Sequence, residues 1–151
     1  MDKHDDAYWM RIALEEAEVA LREDEVPVGA LIVHNDEIVA RSHNRGSHSP
    51  LAHAEKIAIE EALAKFDNWL YGCKLYVTLE PCLMCAGAII LARISAVIFG
   101  AYDEKNGVCG TIYNVLADRR FNHNPDVQGG VLAEECGSLL TEFFRKKRKT
   151  Q

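Results

Sequence analysis

A chain of 151 residues with 48% hydrophobic and 26% charged residues has the size and balance of one globular domain, able to bury roughly 70% of its unfolded surface. That composition excludes a disordered tail, a collagen-like repeat and a disulfide-stapled miniprotein. The net charge of −6 disfavours a nucleic-acid partner on average, yet Arg145, Lys146, Lys147, Arg148 and Lys149 are contiguous; setting those five charges aside leaves −11 for the rest.

The start, Met1-Asp2-Lys3-His4-Asp5-Asp6, is polar and acidic, unlike a signal peptide. The longest apolar run, residues 83–92, is far short of the ~18–20 residues that span a bilayer. The expectation is a cytoplasmic protein with no membrane partner. Apolar residues at steps of three and four (Met10, Ala13, Leu14, Ala17, Ala20, Leu21) predict a helix over about residues 5–23. Residues 28–33 read as a strand, Asn35-Asp36 as a turn and residues 38–41 as the returning strand. A polar segment, 42–50, leads to a helix over about 53–65. Strand 74–79, helix 82–92 and strand 96–99 form a parallel crossover. A short helix near 113–117 and a possible fifth strand at 127–130 precede a last helix, from about Leu132 into the basic tail. The pattern predicts one α/β domain over residues 1–151, a mixed sheet covered by helices.

Five cysteines (Cys73, Cys82, Cys85, Cys109, Cys136) form an odd set, which suits thiols or metal ligands better than disulfides. In Pro81-Cys82-Leu83-Met84-Cys85 the proline suits a helix start, so both thiols are expected in the first turn on one face, where the helix dipole favours thiolate. Two such thiolates are half of a soft metal site, although C-x-x-C alone equally describes a redox pair or two buried small residues. His53-Ala54-Glu55 opens the preceding helix. Positions two apart do not share a helix face, so both can address one site only if the helix end points into it; otherwise they are an ordinary surface or buried pair. Both motifs follow a strand or loop on the same side of a small sheet, where α/β crevices form. His53, Cys82 and Cys85 supply three ligands, which leaves a fourth position for water, as in a catalytic zinc site. Cys73 and Cys109 lack helical spacing to the pair. Glu55 is then placed to carry the proton.

H-A-E with P-C-x-x-C resembles the zinc-dependent cytidine and adenosine deaminase superfamily. The likeness continues through Glu25-Val26-Pro27-Val28-Gly29-Ala30, His43-Asn44-Arg45, Thr78-Leu79-Glu80-Pro81-Cys82, Phe99-Gly100-Ala101-Tyr102-Asp103, Asn122-His123 and Phe143-Phe144-Arg145, which are similar to the bacterial tRNA wobble-adenosine deaminases. The resemblance implies a three-layer cytidine-deaminase-like fold with a mixed five-stranded sheet and a homodimer. It also implies one zinc per subunit on His53, Cys82 and Cys85, and Glu55 as proton shuttle while water attacks C6 of adenine in a tRNA anticodon stem-loop. Asn44 and the backbone N–H of Ala54 would contact the flipped base, Asp103 the sugar-phosphate, and Phe144, with Arg145 and Arg148, the flanking nucleotides. The apolar helix 83–92 could supply the dimer interface.

Two rivals stand beside it. One is a free-base or nucleoside deaminase of the guanine or cytosine type. The other is a non-catalytic, zinc-stabilised RNA-binding domain whose site Cys73 or Cys109 closes. Of the aromatics, Trp9, Trp69, Phe99, Phe121 and Phe143 read mostly as core. His123 reads as a solvated turn residue, with a place at the active-site mouth as the alternative. Glu15, Glu16, Glu60 and Glu61 read as solvated helix faces.

Overall fold

In the computed structural model of the chain, which describes residues 3–67 and 69–149, helix α1 (Asp6–Arg22) starts where Asp5 caps it, its carboxylate accepting from the Tyr8 N–H. Strands β1 (Gly29–His34) and β2 (Glu37–His43) form a hairpin whose two turn residues, Asn35 and Asp36, both have positive φ. Asn and Asp tolerate that backbone, and the resulting turn matches the strand twist. β2 runs two residues past the expected 38–41, because Ser42 and His43 still pair with Ala30 and Gly29. That extension delivers Asn44 to the end of the sheet. Helix α2 (Ala54–Leu63), strand β3 (Cys73–Leu79), helix α3 (Leu83–Ala92) and strand β4 (Ala96–Ala101) follow. After a 3₁₀ turn (Val115–Ala117) come β5 (Asp126–Gln128) and α4 (Ala133–Lys149), which takes in all five basic residues.

The strand order is β2-β1-β3-β4-β5. β1 is antiparallel to β2 and β3, whereas β3, β4 and β5 are parallel, so the sheet is mixed as expected. Alternate residues face opposite sides of each strand. Ala30, Ile32, Leu75, Val77, Val97 and Phe99 pack beneath α2 and α3, while Leu31, Val33, Tyr76 and Ile98 pack beneath α1 and α4. Three layers result, and α2 and α3 share one face.

Some expectations change. Trp69 is 51% and Phe121 45% exposed, so neither is core. Glu16 is not a solvated bystander: it binds the Arg41 guanidinium and the His43 ring, and the other nitrogen of that ring meets Glu23. Among the described residues no helix is long and apolar enough to cross a membrane.

Helix α1 reaches β1 backbone-to-backbone at Gly29, where an added Cβ would stand 2.0 Å from the Ala13 carbonyl oxygen and 2.6 Å from the Ala17 nitrogen. Two rigid backbones cannot both yield. Gly29→Ala is expected to cost about 3 kcal/mol, the upper range for overpacking, measured by urea unfolding; a loss below about 1 kcal/mol would show that α1 can shift.

Candidate metal centre and active site

β3 ends at Leu79, and Pro81 then leads into α3. Cys82 sits one position earlier than expected: it is the N-cap of α3, in extended conformation, and not a member of its first turn, where Cys85 lies. His53 is likewise the N-cap of α2, with Ala54 and Glu55 as the first helical residues. Neither N-cap side chain makes a capping hydrogen bond to the backbone of its own helix. They face each other instead. His53 Nδ1 lies 3.5 Å from Cys82 Sγ and 3.7 Å from Cys85 Sγ, and the three atoms fall within 4.8 Å of one another. Zinc bonds of ~2.3 Å to sulfur and ~2.0 Å to nitrogen at a tetrahedral angle put N and S about 3.5 Å apart. The donor set and its spacing therefore fit zinc.

The electrostatics suit a cation. The Cys82 thiol is held down at about 5, chiefly by the hydrogen bond from the Cys85 thiol, and the His53 ring acts the same way. That shared bond, with burial, pushes Cys85 far above the ordinary thiol range. Glu55, 4% exposed, is not among the three donors. Burial pushes its carboxyl up to about 7, and the Cys82 charge adds to the effect.

The remaining candidates separate. Asn44 and Ala54 are brought together, but the Ala54 N–H donates to Asn44 Oδ1 at 2.8 Å, so this N–H is taken up in orienting the Asn44 side chain. The Ser42 hydroxyl donates to the Ala54 carbonyl at 2.6 Å and ties β2 to the same turn. Asp103 follows β4 at the same end of the sheet; its Oδ1 accepts the N–H groups of Lys105 and Asn106. Phe144 is 45% exposed on α4, edge-on to buried Phe143, on the sheet face opposite α2 and α3. α4 is nonetheless tied toward the Asn44 loop, because Lys147 bonds Asp24 at 2.6 Å. A polar cleft of about 420 Å³ lined by Glu23, Glu25, Arg45, Ser47 and His48 lies between that turn and the loop after Asn44.

Cys73 begins β3, at the far end of a strand roughly 20 Å long, and cannot reach the site. Cys109 is buried with its sulfur on the Pro81 carbonyl, outside the three-donor group. Neither closes the site in the way that the zinc-stabilised RNA-binding rival requires. His123 is half-buried and packed instead of free in solvent: its Nε2 donates to the Ile94 carbonyl and its ring meets Tyr71. Ile94 precedes β4, so this is the end of the sheet away from the metal donors. Sequence reasoning missed Glu80, 2% exposed, which binds four donors of the loop after β4. Its place beside Pro81-Cys82 was the only sequence signal.

Comparison with known proteins agrees with this geometry. Residues 3–101 match the family described as the cytidine and deoxycytidylate deaminase zinc-binding region. The tRNA-specific adenosine deaminase of Bacillus subtilis is 50% identical over 147 residues, covering 95% of this chain and 91% of that protein. A structure from work on A-to-I editing by tRNA:A34 deaminases at the wobble position superposes with a TM-score of 0.83 at 40% identity, over 88% of this chain and 99% of that one. The guanine deaminase of Nitrosomonas europaea shares the fold, with a TM-score of 0.79 at 23% identity over 95% and 86% of the two chains.

An open three-donor site has a direct consequence. His53→Ala and Cys85→Ala should each lower bound zinc at least about tenfold by metal analysis of purified protein, while Cys73→Ala and Cys109→Ala keep the wild-type content. Zinc lost from Cys109→Ala would point to a closed site.

Proposed function

The chain belongs to the cytidine and deoxycytidylate deaminase zinc-binding family, on the branch of the tRNA-specific adenosine deaminases, and from that membership we propose that it converts adenosine to inosine at the wobble position of tRNA. The observation that carries this reading is a buried, non-ligating glutamate, Glu55, beside a three-donor set with zinc spacing. A structural zinc site would have no use for it.

His53 Nδ1 and the Sγ atoms of Cys82 and Cys85 would hold one zinc ion per subunit. When bound, the ion supplies the Lewis acidity that activates water for attack on an electron-poor ring carbon. Two thiolates offset most of its charge, so a base is needed beside that water. Glu55 fills this role: its carboxylate takes a proton from the attacking water and gives it to the ring nitrogen next to C6, then takes the proton of the new C6 hydroxyl and passes it to the amine as the C–N bond breaks. Water and adenosine become inosine and ammonia. A carboxyl near 7 both accepts and donates at neutral pH, and a cation beside it would favour the accepting form at the outset.

Asn44, oriented by the Ala54 N–H, presents its amide group to the base. Asp103 would take the sugar-phosphate, and Phe144 with Arg145 and Arg148 the flanking nucleotides of the anticodon stem-loop. The polar cleft beside Asn44 and the Lys147–Asp24 tie support this path. Asp103, Asn44 and the aromatic and basic end of α4 favour a polynucleotide over a free base, which has no backbone to hold. Leu83 and Leu91, 64% and 75% exposed on α3, are suited to a homodimer interface. The proposed setting is the cytoplasm, with residues 1–151 acting as one catalytic domain.

Glu55→Ala should keep its zinc and lose about 10²–10⁴-fold in kcat on an anticodon stem-loop, followed by inosine formation; retained turnover, or loss of the metal, would contradict the assignment. Wild-type protein should deaminate the stem-loop far faster than free adenosine or guanine. Equal rates would favour the free-base reading. Because the body of the chain is acidic, stem-loop affinity should fall with salt at a modest slope, about 0.7 per phosphate contact over a few contacts.

A further inference from the structure

Glu80 stands between β3 and the metal-donor turn and is outside the three-donor group. Its carboxylate accepts the backbone N–H of Asp103 at 3.0 Å, of Cys109 at 3.0 Å and of Thr111 at 3.1 Å, together with the Thr111 hydroxyl. Its two oxygens therefore meet only donors. Every one of them comes from residues 103–111, the loop that leaves β4 at the active-site end of the sheet. The same loop closes on the next residue as well, where the Val108 N–H donates to the Pro81 carbonyl at 3.1 Å. Gly107 makes the closure possible. A Cβ there would stand 2.4 Å from both Cδ and Oε1 of Glu80 and 2.6 Å from the Asp103 carbonyl oxygen.

A carboxylate buried this deeply is tolerated because its acceptor capacity is filled, and the residues that fill it belong to the loop carrying Asp103. The Asp103 N–H is itself one of the donors. One side chain thus joins two places that a nucleotide substrate must touch together: the turn holding Cys82 and the residue expected at the sugar-phosphate.

We infer that Glu80 is a positioning residue for the polynucleotide, a strut that sets the spacing between the metal-donor turn and Asp103 so that base and backbone of one nucleotide are held in register. The inference rests on the proposed RNA substrate and adds a determinant of its binding. Loss of the strut removes binding common to ground and transition states, so KM rises while kcat is kept.

Glu80→Gln is the informative variant, since it keeps the shape but turns one acceptor into an NH₂ facing N–H donors. Steady-state kinetics on the stem-loop should show KM raised about tenfold or more with kcat within about threefold, zinc content unchanged, and faster hydrogen exchange at the amides of Asp103, Cys109 and Thr111. Gly107→Ala, which crowds the Glu80 carboxylate and the Asp103 carbonyl without altering a metal donor, should give the same KM-against-kcat split. Unchanged KM despite faster loop exchange would overturn the inference. So would a fall in kcat alone, or joint loss of zinc and activity in both variants, which would make Glu80 an element of the general fold. Failure of the RNA reading looks different: wild-type protein itself would then show no preference for the stem-loop over free adenosine.

Discussion

His53 and Cys82 occupy equivalent positions, each the N-cap of a helix whose first N–H groups its side chain does not satisfy. N-caps are usually Ser, Thr, Asp or Asn, and giving up such a cap costs about 1 kcal/mol per helix. Here both side chains turn from their helices toward each other. Two helix N-termini converge on one point, so their dipoles favour the thiolate of Cys82 and an anionic donor set. The stabilisation lost at the caps is available from a bound cation, which couples the site to the fold. Part of the deficit is met locally, because Asn44 supplies an acceptor to the Ala54 N–H, one of the unpaired donors at the start of α2.

That convergence needs α2 and α3 side by side on one sheet face, with both N-termini at the same end. The mixed sheet arranges this. The parallel β3-α3-β4 unit brings Cys82 to the carboxyl end of β3, where α/β sheets form their crevices, and the β1-β2 hairpin beside it brings Asn44 and the following loop to the same edge. On the opposite face α1 lies against β1 with only hydrogen atoms of Gly29 between the backbones. The chemistry thus occupies one layer and one end. Tyr71, His123 and Ile94 serve packing at the other end.

Most of the metal site was legible in the sequence, because H-A-E and P-C-x-x-C are local patterns whose donors lie on two short turns. The helices and strands were legible for the same reason, their apolar spacing being a local property, and β5 and the β2 extension shifted by only a few residues. What depended on distant partners was not legible. The ring of His43 meets Glu16 of α1 and Glu23 just past its end, Glu80 meets residues 103–111, and Asn44 takes the Ala54 N–H for itself. No spacing rule links residues so far apart before the sheet is assembled. Solvation was misjudged at Trp69, Phe121 and His123 in the same way, since a lone aromatic or histidine carries no periodic signal.

The net charge of −6 describes solubility better than recognition. Positive charge is concentrated at the end of α4, and the Lys147–Asp24 pair uses part of it to dock that helix, so binding should depend more on a fitted pocket and its loops than on bulk attraction. The central claim, that the converging helix ends form an open three-donor site, is tested most directly by X-ray absorption at the zinc edge of the metal-loaded protein. An open site predicts two sulfur neighbours at about 2.3 Å and two nitrogen or oxygen neighbours at about 2.0 Å. A third sulfur would contradict it.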